Sequence, residues 1–168
     1  MKTCKICSSK RYAAFSLCFK HHFEKIRKRK EEKKLKKMAK KENNPRLLKK
    51  KLDIIFSQYI RRRVADKNGK ITCVCCKAIL NWQDAQNMHY VGRANLSTRW
   101  DERNCNAGCM RCNVFLNGNY PQYTAYLLEQ YGEEWLKRLI VDGKRIKKWT
   151  VEELKAMIEK YSNLLKTL

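Results

Sequence analysis

Acidic residues are scarce in this chain: 16 Asp and Glu stand against 39 Lys and Arg, leaving a formal charge of +23 over 168 residues. A field of that sign and size repels other copies of the chain and draws in polyanions, so nucleic acid is the first partner to consider. Long apolar runs are missing as well, none exceeding four residues. That excludes a spanning helix and a signal-peptide core, and the expectation is a soluble, intracellular protein with no membrane partner. Histidine is rare, with three in total, and His89 is the only one beyond residue 22. No repeat of solenoid length is visible. The length suits one small domain with helical extensions that need little core of their own.

Cysteine, by contrast, is plentiful. Nine in a short chain would suggest disulfides in a secreted protein, but the number is odd and no export signal is present, so zinc is the better reading. Cys73 with Cys76 and Cys109 with Cys112 form two CxxC pairs 36 residues apart. Each pair places two thiolates on one tetrahedral ion, and four thiolates leave no open position, so this zinc serves structure. Cys75 and Cys105 are left over. A third pair, Cys4 and Cys7, is followed by Cys18 and by His21 or His22. Residues 1–22 therefore read as a zinc knuckle, with the choice of histidine open.

From Phe23 to Asp53 there are fifteen Lys or Arg and five Asp or Glu. Residues 23–45 favour a helix, but Ile26, Leu35 and Met38 are too few to give it a continuous buried face. A solvated basic helix and a phosphate-tracking arm are compatible readings of this segment. Asn43, Asn44 and Pro45 break the pattern, after which Leu48, Leu52, Ile55, Phe56, Tyr59 and Ile60 predict a helix with a face to bury. It ends near Asp66, where KNGK predicts a tight hairpin turn leading to Ile71. Helix resumes from Pro121 to Tyr131 and stops at Gly132. Thr150 and Glu153 form a capping box for a last helix within 142–168, whose apolar stripe from Val151 to Leu168 packs in a core or forms a dimer seam.

The central stretch CVCCKAILNWQDAQNMHYVGRANLSTRWDERNCNAGCMRCNVFLNGN carries the chemistry. His89 lies between the CxxC pairs, Asn104 follows fifteen residues later and Asn113 nine after that, directly past the last zinc cysteine. This pattern resembles the HNH, or His-Me finger, nucleases. NMHYVGR, TRWDERN and CMRCNVFLNGN resemble in particular the phage recombination nucleases of the NinG/Rap family, over roughly residues 50–140. The resemblance implies an α+β fold: a small zinc-bound ββα-metal core within residues 46–141, flanked by helices and preceded by the long basic helix.

It also implies a metal-dependent endonuclease acting on DNA in recombination, at branched substrates such as Holliday junctions or D-loops, in the cytoplasm of the host if the chain is phage-encoded. On that reading His89 deprotonates the attacking water, Asn104 orients the imidazole, and Asn113 binds Mg²⁺ or Mn²⁺. The chemistry agrees, since imidazole is available as a base near neutral pH and an amide oxygen is a hard ligand suited to Mg²⁺. Symmetric cutting would favour a homodimer, with the last helix as its seam. One departure is Met88: many members of the superfamily have Asp or His directly before the base, and a thioether is a poor Mg²⁺ ligand. Gln86, Asn87 and Asp84 are the replacement oxygen donors available nearby.

Arg93, Arg99 and Arg103 are candidates for phosphate contacts, although Arg99 or Arg103 could instead pair with Asp101 or Glu102. Trp82 and Trp100 read as core rather than as stacking platforms. The rivals to this assignment are a non-catalytic, zinc-stabilised DNA-binding module of a recombination complex, and an HNH nicking or homing enzyme.

Overall fold

The computed structural model describes residues 3–7, 9–10 and 17–168, which fall into two compact units, Met1–Asn44 and Pro45–Leu168. In the first unit an antiparallel bridge between Thr3 and Lys10 closes a turn carrying Cys4 and Cys7. Cys18, in extended conformation, leads into helix α1, Phe19–Glu42. The helix starts four residues before the expected Phe23, which puts both His21 and His22 in its first turn. It buries no side chain of its own, in keeping with its lack of an apolar stripe.

The second unit opens with α2, Pro45–Arg62, whose first residue is the proline that no interior helical position would accept. Leu48, Leu52, Phe56 and Ile60 recur every fourth residue and are buried. They pack in one core with Trp100, Cys105 and the Leu154, Ile158 and Tyr161 of α5, Val151–Lys166. The apolar stripe of the last helix therefore packs in a core against α2 of the same chain. The capping box at its start is complete, with Glu153 N–H donating to Thr150 Oγ1 at 3.1 Å and Thr150 N–H to the Glu153 carboxylate at 2.8 Å.

Two small antiparallel sheets lie between these helices in the chain. Strand β1, Lys70–Thr72, pairs with β2, Ile79–Asn81; β3, Gln86–His89, pairs with β4, Cys105–Gly108, with His89 opposite Cys105. The Asn68-Gly69 turn does not close a hairpin as expected. It precedes β1, tied by Asn68 and Lys70 N–H groups to the Asp66 carboxylate, and Gly69 supplies the positive φ of +72°. The β1–β2 hairpin is closed instead by the first CxxC, with Cys73 N–H bonded to Ala78 O at 2.8 Å. Its tightness follows from the cysteine knuckle.

A second core holds Cys73, Met88 and Cys112 against Tyr123 and Leu127 of α3, Tyr120–Tyr131, and Leu136 and Leu139 of α4, Glu133–Gly143. Gly132, at φ +79°, ends α3 as expected and at once begins α4, a helix missed by sequence reasoning although Glu133 and Glu134 open it and Leu136 and Leu139 give it a buried face. The long segment joining β3 to β4 is fastened by Glu102, whose carboxylate accepts from Tyr59, Arg63 and Tyr161. Arg63 adds bonds to the carbonyls of Glu102 and Cys105. One carboxylate thus ties that segment to α2 and α5, and the end of β3 is held in a fixed place.

Candidate metal centres and a polar cleft

Cys73, Cys76, Cys109 and Cys112 come together with all four sulfurs within 4.8 Å of one another. The Cys76–Cys109 separation is 3.6 Å, close to the edge of about 3.8 Å that a tetrahedron with Zn–S bonds of roughly 2.3 Å would have. Gly108, directly before Cys109, has no room for a side chain: a Cβ there would overlap the Met88 sulfur. Donors converge on the sulfurs, with Cys109 N–H 3.3 Å from Cys73 Sγ, Cys112 N–H 3.4 Å from Cys109 Sγ, and Asn119 Nδ2 3.4 Å from Cys112 Sγ. A hydrogen bond from the Cys75 thiol, with backbone N–H groups, holds Cys73 down to about 3, while burial and neighbouring thiols push Cys112 up to about 12. Four such groups cannot all be anionic without a cation, and a zinc ion fits both the geometry and the charge deficit.

Cys4, Cys7, Cys18 and His21 form a second group of the same kind. Cys7 and Cys18 sulfurs are 3.6 Å apart, and His21 Nδ1 lies 3.3 Å from Cys18 Sγ and 3.6 Å from Cys4 Sγ. The open choice of histidine is thereby resolved in favour of His21, the residue three beyond Cys18 on the first turn of α1. Residues 8 and 11–16 of this loop lie outside the described residues. Cys75 and Cys105 stay out of both groups; Cys105 is buried in the core, and burial pushes its thiol well above the usual range.

Beside the central tetrad a cleft of about 830 Å³ opens between α2, the turn before β3, β3 itself and the residues following Cys109. His89 and Asn113 line it together with Gln86, Asn87, Asp84 and Arg93. Asn113 sits on a π turn, Arg111–Phe115, where Leu116 N–H reaches back five residues to Arg111 O at 2.9 Å. Its Nδ2 donates to Gln86 Oε1 at 2.8 Å. Asn87 Oδ1 is buried without a hydrogen-bond partner in the same wall. Met88 points the other way, fully buried in the second core, as strand alternation requires. Among the described residues no group of three His, Cys, Asp or Glu ligands occurs in the cleft.

His89 Nε2 lies 3.0 Å from the carbonyl of Arg99. A neutral imidazole that donates there carries its lone pair on Nδ1. The carbonyl of Arg99, and not Asn104, orients the ring. Asn104 is fully buried and binds backbone instead: Val91 N–H donates to its Oδ1 at 2.7 Å, and its Nδ2 donates to Val91 O and Thr98 O. It therefore fixes the shape of the segment that carries Arg99.

Burial, reinforced by the charges of Arg93 and Arg99, depresses His89 to about 4. The folded state thus binds fewer protons than the unfolded chain, whose imidazole titrates near 6.5, and stability falls as pH drops from about 6.5 towards 4. At pH 5 the cost is about 2 kcal/mol relative to pH 7.5. Urea unfolding of the intact protein and of His89→Gln at both pH values should show this difference in the intact protein alone.

The arginines divide. Arg99 grips Asp53 of α2 through Nε and Nη2 at 2.8 and 2.6 Å, so it pairs, but with neither Asp101 nor Glu102. Arg103 pairs with Asp101 at 2.7 Å, the structural alternative. Arg93 remains 59% exposed at the cleft, with Asp53 3.4 Å away. Sequence reasoning missed Arg61, which lines the cleft from α2 while its Nη1 binds the carbonyls of Gln83 and Ala85, each at 3.0 Å. A signal for it exists: Asp53, Ser57 and Arg61 recur every four residues on the polar side of a helix. Trp100 is buried as core, with its Nε1–H on Asp53, whereas half-buried Trp82 carries the guanidinium groups of Arg61 and Arg62.

Two cysteine-rich groups able to hold zinc, one in each unit, and a polar cleft beside the second define a small α+β protein with candidate metal centres. The chain belongs to the NinG family: the family model described as "Bacteriophage Lambda NinG protein" matches residues 1–168. Relatives named "Protein ninG" occur in Salmonella phage P22, at 31% identity over 111 residues, Escherichia phage lambda, at 29%, and Escherichia phage 933W, at 28%. Each alignment covers 66% of this chain, and it covers 54% of the P22 and lambda proteins and 55% of the 933W protein. The chain spans about half the length of the curated relatives it matches. No solved structure matches it. Among the described residues no helix is long and apolar enough to cross a membrane.

Proposed function

We propose that this chain is a metal-dependent DNA endonuclease of the HNH type acting on branched DNA, with zinc in both cysteine groups. The observation that carries the reading is the meeting of His89 and Asn113 in one polar cleft beside the central tetrad, with Arg61 and Arg93 on its walls. In chain order, the β3–β4 hairpin and the π turn supply a strand, a strand and a helical element, which supports a ββα-metal core, although the helical part is a single wide turn. His89, held through Nε2–H by Arg99 O, takes the proton of the attacking water on Nδ1. Asn113 holds a divalent cation, Mg²⁺ or Mn²⁺, with Gln86, Asn87 and Asp84 as the oxygen-bearing neighbours. Such an ion would stabilise the charge that develops on the phosphate and its leaving oxygen. Arg93 and Arg61 draw the backbone phosphates to the cleft.

A specific observation favours the non-catalytic DNA-binding module as a second reading: the cleft offers the cation amide oxygens and one exposed carboxylate, Asp84, in place of a carboxylate cluster. The two readings separate on cleavage of a synthetic four-way junction in Mg²⁺ or Mn²⁺, which the first requires and the second forbids. Both assign DNA binding to α1. Deleting residues 23–44 should weaken junction binding and flatten the dependence of log Kd on log salt, by about 0.9 for each phosphate that α1 neutralises. Unchanged affinity and slope in fluorescence anisotropy titrations would remove α1 from the interface.

A further inference from the structure

The π turn that carries Asn113 also exposes an apolar ridge that the cleavage chemistry does not use. Met110 is 51% exposed, Val114 49% and Phe115 72%. Met110 lines the cleft, and Val114 and Phe115 follow it by four and five residues, the spacing that stacks side chains along one side of a π turn. Exposed apolar side chains are ordinary when scattered; three on one short turn, the first of them lining a polar cleft, call for an occupant.

The ridge is rigidly presented. Its start is fastened by Cys109 and Cys112 of the central tetrad. Its end is fastened by Asn117, Gly118 and Asn119, three successive residues with positive φ of 46°, 93° and 45°. Gly118 N–H binds the carbonyls of Cys112 and Asn113 at 3.0 and 3.1 Å, closing the turn upon itself. Asn is the residue that adopts left-handed backbone most readily after Gly, so Asn117-Gly118-Asn119 suits this turn. Phe115 lies in solvent, outside the second core.

Charge selects what covers it. No acidic residue lies between Glu102 and Glu129, Arg111 is exposed within the same turn, and the chain as a whole carries +23, so a second copy is repelled and a polyanion is drawn in. Phosphates have no use for an apolar surface, whereas the faces of unpaired bases stack on aromatic and aliphatic side chains. We infer that the Met110–Val114–Phe115 ridge packs against unpaired bases of DNA held in the adjacent cleft, with Phe115 as the stacking side chain. This rests on the proposed nuclease function for the identity of the polyanion, and it adds the element that distinguishes branched from continuous duplex DNA.

The test uses binding without cutting. His89→Ala protein in EDTA, a concentration that leaves the zinc in place being established by elemental analysis, is mixed with a four-way junction carrying 5-iododeoxyuridine at the branch point or in the middle of one arm. After irradiation, a cross-link mapped by mass spectrometry to Phe115 is expected with the branch-point label and not with the arm label. Phe115→Ala should lose that cross-link and bind the junction about tenfold more weakly, with linear-duplex affinity unchanged. Unchanged duplex binding and zinc content report that the variant is folded. Equal junction affinity in Phe115→Ala, or a branch-point cross-link that maps elsewhere, overturns the inference while leaving the nuclease reading standing. Failure of the protein to bind DNA at all overturns both.

Discussion

Cys109→Ser is expected to unfold the Pro45–Leu168 unit. Cys73 and Cys112 are fully buried members of its second core, next to Met88, Tyr123 and Leu127, so the four thiols hold together β1, β4, the π turn and α3. Structural zinc contributes on the order of 10–16 kcal/mol in small modules, which matches or exceeds the whole net stability of about 5–15 kcal/mol typical of a domain. Without the ion, the same site leaves mutually repelling or protonated thiols in the core. The intact chain should contain two zinc ions by elemental analysis. Cys109→Ser should lose its near-ultraviolet circular dichroism and its cooperative thermal transition. Cys7→Ser, in the separate Met1–Asn44 unit, should lose one zinc ion and keep both signals. A folded, zinc-free protein would refute the assignment of both cysteine groups.

His89→Ala is expected to lower cleavage by about 10²–10⁴-fold, the usual contribution of a positioned general base, while leaving DNA affinity within about twofold. The separation follows from the geometry. His89 is held in the wall by one backbone carbonyl and contributes no charge near neutral pH, whereas the proposed function assigns the attraction of DNA to Arg61, Arg93 and α1. Asn104→Ala should also lower cleavage, but through loss of the bonds to Val91 and Thr98, and hence with a lower thermal midpoint that His89→Ala does not share. A variant pair in which Asn104→Ala loses activity with no loss of stability would return Asn104 to a direct role beside the imidazole.

Local periodicity carries much of the fold. α2 is legible because Leu48, Leu52, Phe56 and Ile60 repeat at one helical spacing, and α5 because Thr150 and Glu153 cap a similar stripe. Periodicity says that a face is buried and is silent about what covers it, which is why α5 suggests a dimer seam when its partner is α2, about a hundred residues earlier. α4 escapes notice because Gly132, rightly read as the end of α3, is at once the start of the next helix. The Asn-Gly turn is correct as a turn and wrong as a hairpin, because the register of β1 with β2 is set by the cysteine knuckle between them.

The same division holds at the site. Cysteine spacing identifies both ligand groups, and only the phase of α1 selects His21 over His22. Spacing points to His89 and Asn113, which meet in one cleft, but cannot say which atoms Asn104 touches. The partner of Arg99, Asp53, lies 46 residues away on α2, and no local pattern pairs them. Met88 is a departure in sequence, and the pleat of β3 gives it a plain role in the second core.

The most direct test of the central claim is a single-turnover incubation of the zinc-loaded protein with an end-labelled four-way junction and a matched linear duplex, with and without Mg²⁺. The account predicts metal-dependent scission of the junction in excess of the duplex, absent in His89→Ala. Tight binding of both DNAs with no scission in Mg²⁺ or Mn²⁺ would contradict it and leave a zinc-stabilised DNA-binding module.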